Sequence, residues 1–137
     1  MTCVVLLVIG VLVLTPAWTA QADTQAAAAP KVRLVRAVMC EVIEDYEPRY
    51  IAIVFPINTG RISCYTSFDE ISEVTSVYHK WFRHDALVTS KRLTIKPPNW
   101  ATYSSIQLRE ADKGPWRVEV WQENGPLLKT IRFSVAD

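Results

Sequence analysis

Trp116-Arg117-Val118-Glu119-Val120-Trp121, then Gln122-Glu123-Asn124-Gly125-Pro126, then Leu127 to Val135 with Ile131 and Phe133 on the way, is the stretch that decides the fold class. Trp116, Val118 and Val120 alternate with Arg117, Glu119 and Trp121. Alternation at period two is the pattern of a strand with one face buried and the other in water. Asn124-Gly125 offers the two positive-φ residues of a tight hairpin turn of the primed type. An antiparallel β-hairpin is therefore expected here.

Working back from it, short apolar runs recur between turn signals. Val32 to Ile43 reads as a first strand, ended by Glu44-Asp45-Tyr46-Glu47-Pro48. Tyr50 to Phe55 reads as a second, closed by Pro56 and Asn58-Thr59-Gly60, and Arg61 to Phe68 as a third. Phe68 to Glu73 is ambiguous, with room for one helical turn. Val74 to Arg83 and Leu87 to Ile95 form a hairpin around His84-Asp85; Pro97-Pro98 breaks it, and Trp100 to Leu108 leads into the polar loop Glu110-Ala111-Asp112-Lys113-Gly114. Seven or eight short strands and no long helix predict an all-β fold, an immunoglobulin-like antiparallel β-sandwich, with a small closed β-barrel as the alternative. No internal repeat points to a propeller or solenoid.

The amino-terminal end is of another kind. Residues 1–22 contain none of the 15 basic and 14 acidic residues, and Cys3 to Leu14 is apolar throughout apart from Gly10. Thr15-Pro16 ends the run before Ala20-Gln21-Ala22, the order expected of a secretory signal peptide. As a helix the run would span about 18 Å, against a bilayer core of about 30 Å. The expected organisation is a signal peptide over 1–22, a flexible linker over 23–31 and a β-sandwich over 32–137. The chain is expected to work in the periplasm or outside the cell; an uncleaved leader would instead tether it to the inner membrane, its only expected membrane contact.

A net charge of +1 offers no long-range attraction to a polyanion, so nucleic acid is not an expected ligand. Loss of the leader would remove Cys3 and leave Cys40 and Cys64, an even pair in an oxidising compartment, for which a disulfide is expected. The bridge would contribute ~3–4 kcal/mol on the chain-entropy model; two buried thiols are the plain alternative. Neither cysteine has a His or Cys at zinc-ligand spacing, and Glu41, Glu44, Asp45 and Glu47 lack the spacing and central glycine of a calcium loop, so no metal and no cofactor are expected.

The candidate ligand-binding residues are His79, Trp81, Trp100 and Tyr103. His79 and Trp81 share one face of a strand with Val77. On an exposed face, with Trp100 and Tyr103 beside them, they would make a flat platform for a sugar ring. On a buried face Trp81 would be the core tryptophan usual in sandwiches, the favoured reading. Trp121, on the polar face of its strand, marks either a partner surface or a residue beneath a loop. With two histidines and no nucleophile elbow, Cys-His signature or phosphate-cradling loop, no catalytic residue is expected.

Several short motifs in order also resemble a bacterial family known as domain of unknown function 2914: Glu47-Pro48, Cys64-Tyr65-Thr66, His79-x-Trp81, Trp100-x-x-Tyr103-Ser104, Gly114-x-Trp116-x-Val118-x-Val120 and Gly125-x-x-Leu128. The resemblance spans about Leu34 to Val135 and departs from the family at Tyr65, where Phe is usual, and at Ala101, where Arg is. It implies an extracytoplasmic or membrane-associated β domain with no established activity, and it carries over no catalytic residue. The expected function is that of an exported, non-catalytic module that binds an envelope protein through its sheet edges and the loops 56–60 and 110–114; the alternative is a carbohydrate- or small-ligand-binding module.

Overall fold

The structure, a computed structural model, describes residues 29–137. The expected signal peptide and most of the expected linker lie outside the described residues, among which no helix is long and apolar enough to cross a membrane.

Among the described residues nine strands follow one another: β1 (Arg33–Glu44), β2 (Glu47–Ile51), β3 (Val54–Pro56), β4 (Arg61–Asp69), β5 (Thr75–Arg83), β6 (Ala86–Ile95), β7 (Trp100–Gln107), β8 (Gly114–Gln122) and β9 (Leu127–Ala136). They form two open sheets, β2-β1-β4-β7 and β3-β9-β8-β5-β6, stacked as a sandwich and not closed as a barrel. The order is immunoglobulin-like. β5, β8 and β9 take the places of strands C, F and G, β1, β4 and β7 those of A, B and E, and β6 lies beside C as in variable-type domains. Every pairing is antiparallel except that of β3 with β9, which is parallel.

The core is what the alternation demands. Trp116, Val118 and Val120 of β8 face inward with Val77 and Trp81 of β5 and Phe133 and Val135 of β9, meeting Met39, Ile62, Cys64 and Phe68 of the other sheet. Phe133 is the aromatic hub: its ring meets Phe55 and Trp81 edge-on at 6.1 and 6.0 Å and stacks on Trp116 at 6.0 Å.

Three expectations are corrected. The run Tyr50 to Phe55 is not one strand but the end of β2 and the start of β3, so the chain leaves one sheet and joins the other within it, giving nine strands for the expected seven or eight. Pro48 does not end a strand but sits inside β2 opposite Ile43, which an edge strand tolerates because one side of its backbone needs no donor. The third concerns the turn after β8. Asn124 has φ 53°, but Gly125 is not at positive φ, and the loop is longer than two residues. A two-residue Asn124-Gly125 turn would be closed by the N–H of residue 126, and Pro126 has none. Gly125 N instead donates to Gln122 O at 3.1 Å, and the register slips by one between Val120 and Trp121. The primed turns are elsewhere, at Asp45-Tyr46 (φ 48° and 61°) and His84-Asp85 (φ 47° and 62°), each joining directly paired strand ends.

The expected disulfide is also corrected. Cys40 lies opposite Ser63 and Cys64 opposite Met39, so in adjacent strands the two thiols point to opposite faces of the sheet, and both are free and buried. Burial pushes the Cys40 thiol up to about 11 and that of Cys64 higher still. Cys40 is covered although it faces outward, because the β1–β2 hairpin bends back over this sheet. Arg36 and Glu44 are eight residues apart, about 26 Å along a straight strand. Yet Glu47, opposite Glu44, lies 3.7 Å from Arg36.

Candidate functional site

The four residues proposed as a platform do not form one. His79 and Trp81 are fully buried on the inner face of β5, whereas Trp100 and Tyr103 are partly exposed on β7, in the other sheet. β5 is covered by β7 across the sandwich, and the two meet through polar atoms. His79 Nδ1 and Ser104 Oγ lie 2.7 Å apart, His79 Nε2 and Thr66 Oγ1 3.0 Å, and the Trp81 indole N–H donates to Ser104 Oγ at 3.1 Å. Both ring nitrogens of His79 thus have a hydroxyl, either of which donates or accepts to suit the imidazole tautomer. Burial lowers the His79 pKa to about 4, so the ring is neutral at ordinary pH. The hydroxyl–imidazole contact has the outline of a nucleophile beside its base, but it is enclosed between the sheets. Among the described residues no three or more His, Cys, Asp and Glu side chains gather as a metal site would require.

Trp100 and Tyr103 have other company. With Ile43 and Tyr46 of the folded-back hairpin and Tyr65, Ala101 and Thr102 they line an open cleft of about 190 Å³ on the outer side of the four-stranded sheet. Lys96 Nζ lies 5.5 Å from the Trp100 ring. Trp121 proves self-contained on the outer face of the five-stranded sheet: Lys80 Nζ sits 4.9 Å from its ring and its indole N–H donates to Glu119 at 3.1 Å.

The two loops expected to make contacts are built into the fold. Gly60 O accepts from Leu108 N at 2.8 Å, and Ile57 packs against the core. The 110–114 loop is held by Arg83 on Asp112 at 3.0 Å and by the Trp116 indole N–H on Asp112 O at 2.7 Å. What stands open is the side of the sandwich where β2 and β3 are the edge strands of the two sheets. There Tyr50, Ile51, Ile53 and Val54 are 71, 49, 72 and 55% exposed. Tyr50 also holds φ 56°, a conformation that a bulky side chain adopts only under constraint. No residue type in this stretch signals chemistry; its four exposed apolar residues could have been noticed only by asking what an edge leaves uncovered.

Residues 74–135, from just before β5 to within β9, match the model of a family described as protein of unknown function, DUF2914. Over these residues, a little under half of the chain, the protein is similar to the DUF2914 family. The match bears out the family read from the sequence motifs, but it begins at Val74 and not near Leu34. The DUF2914 segment therefore supplies β5 to β9 and the His79–Trp81–Ser104 cluster, while the folded-back hairpin and the exposed β2–β3 edge precede it. No curated protein matches the chain.

Proposed function

We propose that the protein is an exported, non-catalytic module of the bacterial envelope that binds another envelope protein along the β2–β3 edge. One observation carries the reading: Tyr50, Ile51, Ile53 and Val54 are exposed together where each sheet has an edge strand with one side of its backbone unpaired. Natural sheets usually protect such edges with charge. Here Arg49, 3.8 Å from Glu44, is the only ionic group between Pro48 and Pro56. Unpaired backbone flanked by apolar side chains suits an extended segment of a partner that adds itself as a strand. Export is supported by the signal-peptide pattern of residues 1–22.

Photo-crosslinking in intact cells tests it. A cross-linking residue at Ile53 is expected to give one discrete adduct with an envelope protein, lost when Ile51 is changed to Lys, whereas the same residue at Ser90, on a different edge strand, gives none. No adduct, or equal adducts from both positions, would overturn the proposal. A second reading, a carbohydrate-binding module, is favoured by the cleft that gathers Tyr46, Trp100 and Tyr103. It predicts retention on immobilised glycan that Trp100→Ala abolishes and Ile51→Lys does not.

A further inference from the structure

On the outer face of the five-stranded sheet Arg117 and Arg132 stand directly opposite each other in the β8–β9 ladder. Opposite residues in such a ladder have Cβ atoms about 5 Å apart, and like charges there repel. The two guanidinium groups are not equally provided for. Arg117 is held on three sides: it pairs with Asp85, donates from Nε to Glu119 at 3.2 Å, and stacks on the Phe82 ring at 4.1 Å. Arg132 is exposed, and among the described residues no carboxylate lies within ion-pair distance of it. Between them is a hollow of about 300 Å³, lined as well by Phe82, His84, Pro115, Trp116 and the Asp85 that pairs with Arg117. His84 is fixed in this wall by two backbone features. It is the first residue of the primed β5–β6 turn, and its ring lies so close to Gly114 that a Cβ there would sit 3.3 Å from Cε1.

We propose that this hollow is an oxyanion site, taking a phosphate or carboxylate group between Arg117 and Arg132 with His84 as a third hydrogen-bonding group. Guanidinium groups bind such anions through charge-assisted hydrogen bonds; because Asp85 and Glu119 already compensate Arg117, the anion is held chiefly by Arg132, with Arg117 offering the N–H groups those carboxylates leave free. Arg117 is already immobilised by Phe82 and Glu119, so binding orders chiefly Arg132. The apolar walls, Phe82 and Pro115, limit the site to a group at the end of a small molecule or a chain terminus. All its residues lie within the DUF2914 segment, and it does not depend on the β2–β3 edge.

Titration of the intact domain with inorganic phosphate and, separately, acetate tests it, with sodium chloride at equal ionic strength as the reference and the amide of Gly114 and the indole N–H of Trp116 followed by NMR. Saturable shifts with either anion beyond those in chloride are expected, phosphate alone marking a phosphoryl ligand and acetate alone a carboxylate. Arg132→Gln is expected to weaken binding at least tenfold, whereas Arg92→Gln, elsewhere on the sheet, leaves it unchanged. Shifts that never saturate, or that are the same in the wild type and both variants, would overturn the proposal.

Discussion

The interior around His79 and the β2–β3 edge are opposites. The first gathers the residue types associated with chemistry, imidazole, indole and hydroxyl, and satisfies all of them internally; the second has only Tyr, Ile and Val and leaves them in water. On the proposed reading, side-chain chemistry is a poor guide to where this molecule meets a partner. A buried polar group must find a partner within the fold or destabilise it. An exposed apolar residue has no such obligation, and four together on an unpaired edge are the feature that calls for an external explanation.

The contrast breaks most sharply at the hub of the core. Phe133→Ala removes the ring that Phe55, Trp81 and Trp116 all contact, and a loss of about 3–5 kcal/mol in unfolding free energy is expected by denaturant titration. Any loss below about 1 kcal/mol would mean that the inner layer is far looser than its packing implies.

Acid acts on the same interior through His79. Its pKa is about 4 in the fold against 6.5 for a free imidazole, so the unfolded chain takes up the proton first. The stabilisation is complete above about pH 6.5 and is lost as pH falls toward 4, in total about 3 kcal/mol. The groups that touch the ring, Thr66 and Ser104, carry no charge to offset this. His79→Gln should flatten the stability profile between pH 6.5 and 4; an unchanged slope would assign the acid sensitivity to other groups. A smaller effect is expected of Ser104→Ala, which strips the partner from both His79 Nδ1 and the Trp81 indole and should destabilise the domain by about 2 kcal/mol, with little effect if water fills the space.

Much of this interior was legible in the sequence. Period-two alternation in Trp116 to Val120 names the inner face of β8, and the spacing of Val77, His79 and Trp81 places all three on one side of β5, where they are found. At the turn after β8 the Asn124-Gly125 pair predicts a two-residue hairpin, but the sequence also holds the reason it does not form: Pro126 cannot close one. Two further features needed the third dimension. The opposite facing of Cys40 and Cys64 follows from a register pairing Met39 with Cys64, which no local pattern sets. The aromatic cleft exists because the β1–β2 hairpin bends back, bringing Tyr46 and Ile43 to Trp100 and Tyr103, residues far apart in sequence.

The smallest expected change in stability is at the edge, and there the comparison becomes sharpest. In Ile53→Lys an exposed apolar side chain becomes a charged one at a position between β2 and β3, where no inner packing is lost. A change within about 0.5 kcal/mol is expected, since surface substitutions away from caps, cores and buried polar groups rarely exceed it. The backbone carbonyl of Ile53 accepts from Ser134 N at 2.9 Å, and that bond survives the substitution, so β3 stays attached to β9. Binding should respond differently, because a lysine on an edge is the device by which sheets repel added strands. If Ile53→Lys unfolds the domain, the edge belongs to the core after all and the contrast fails; if the variant is stable and its partner adduct is gone, those apolar side chains are retained for contact and not for folding.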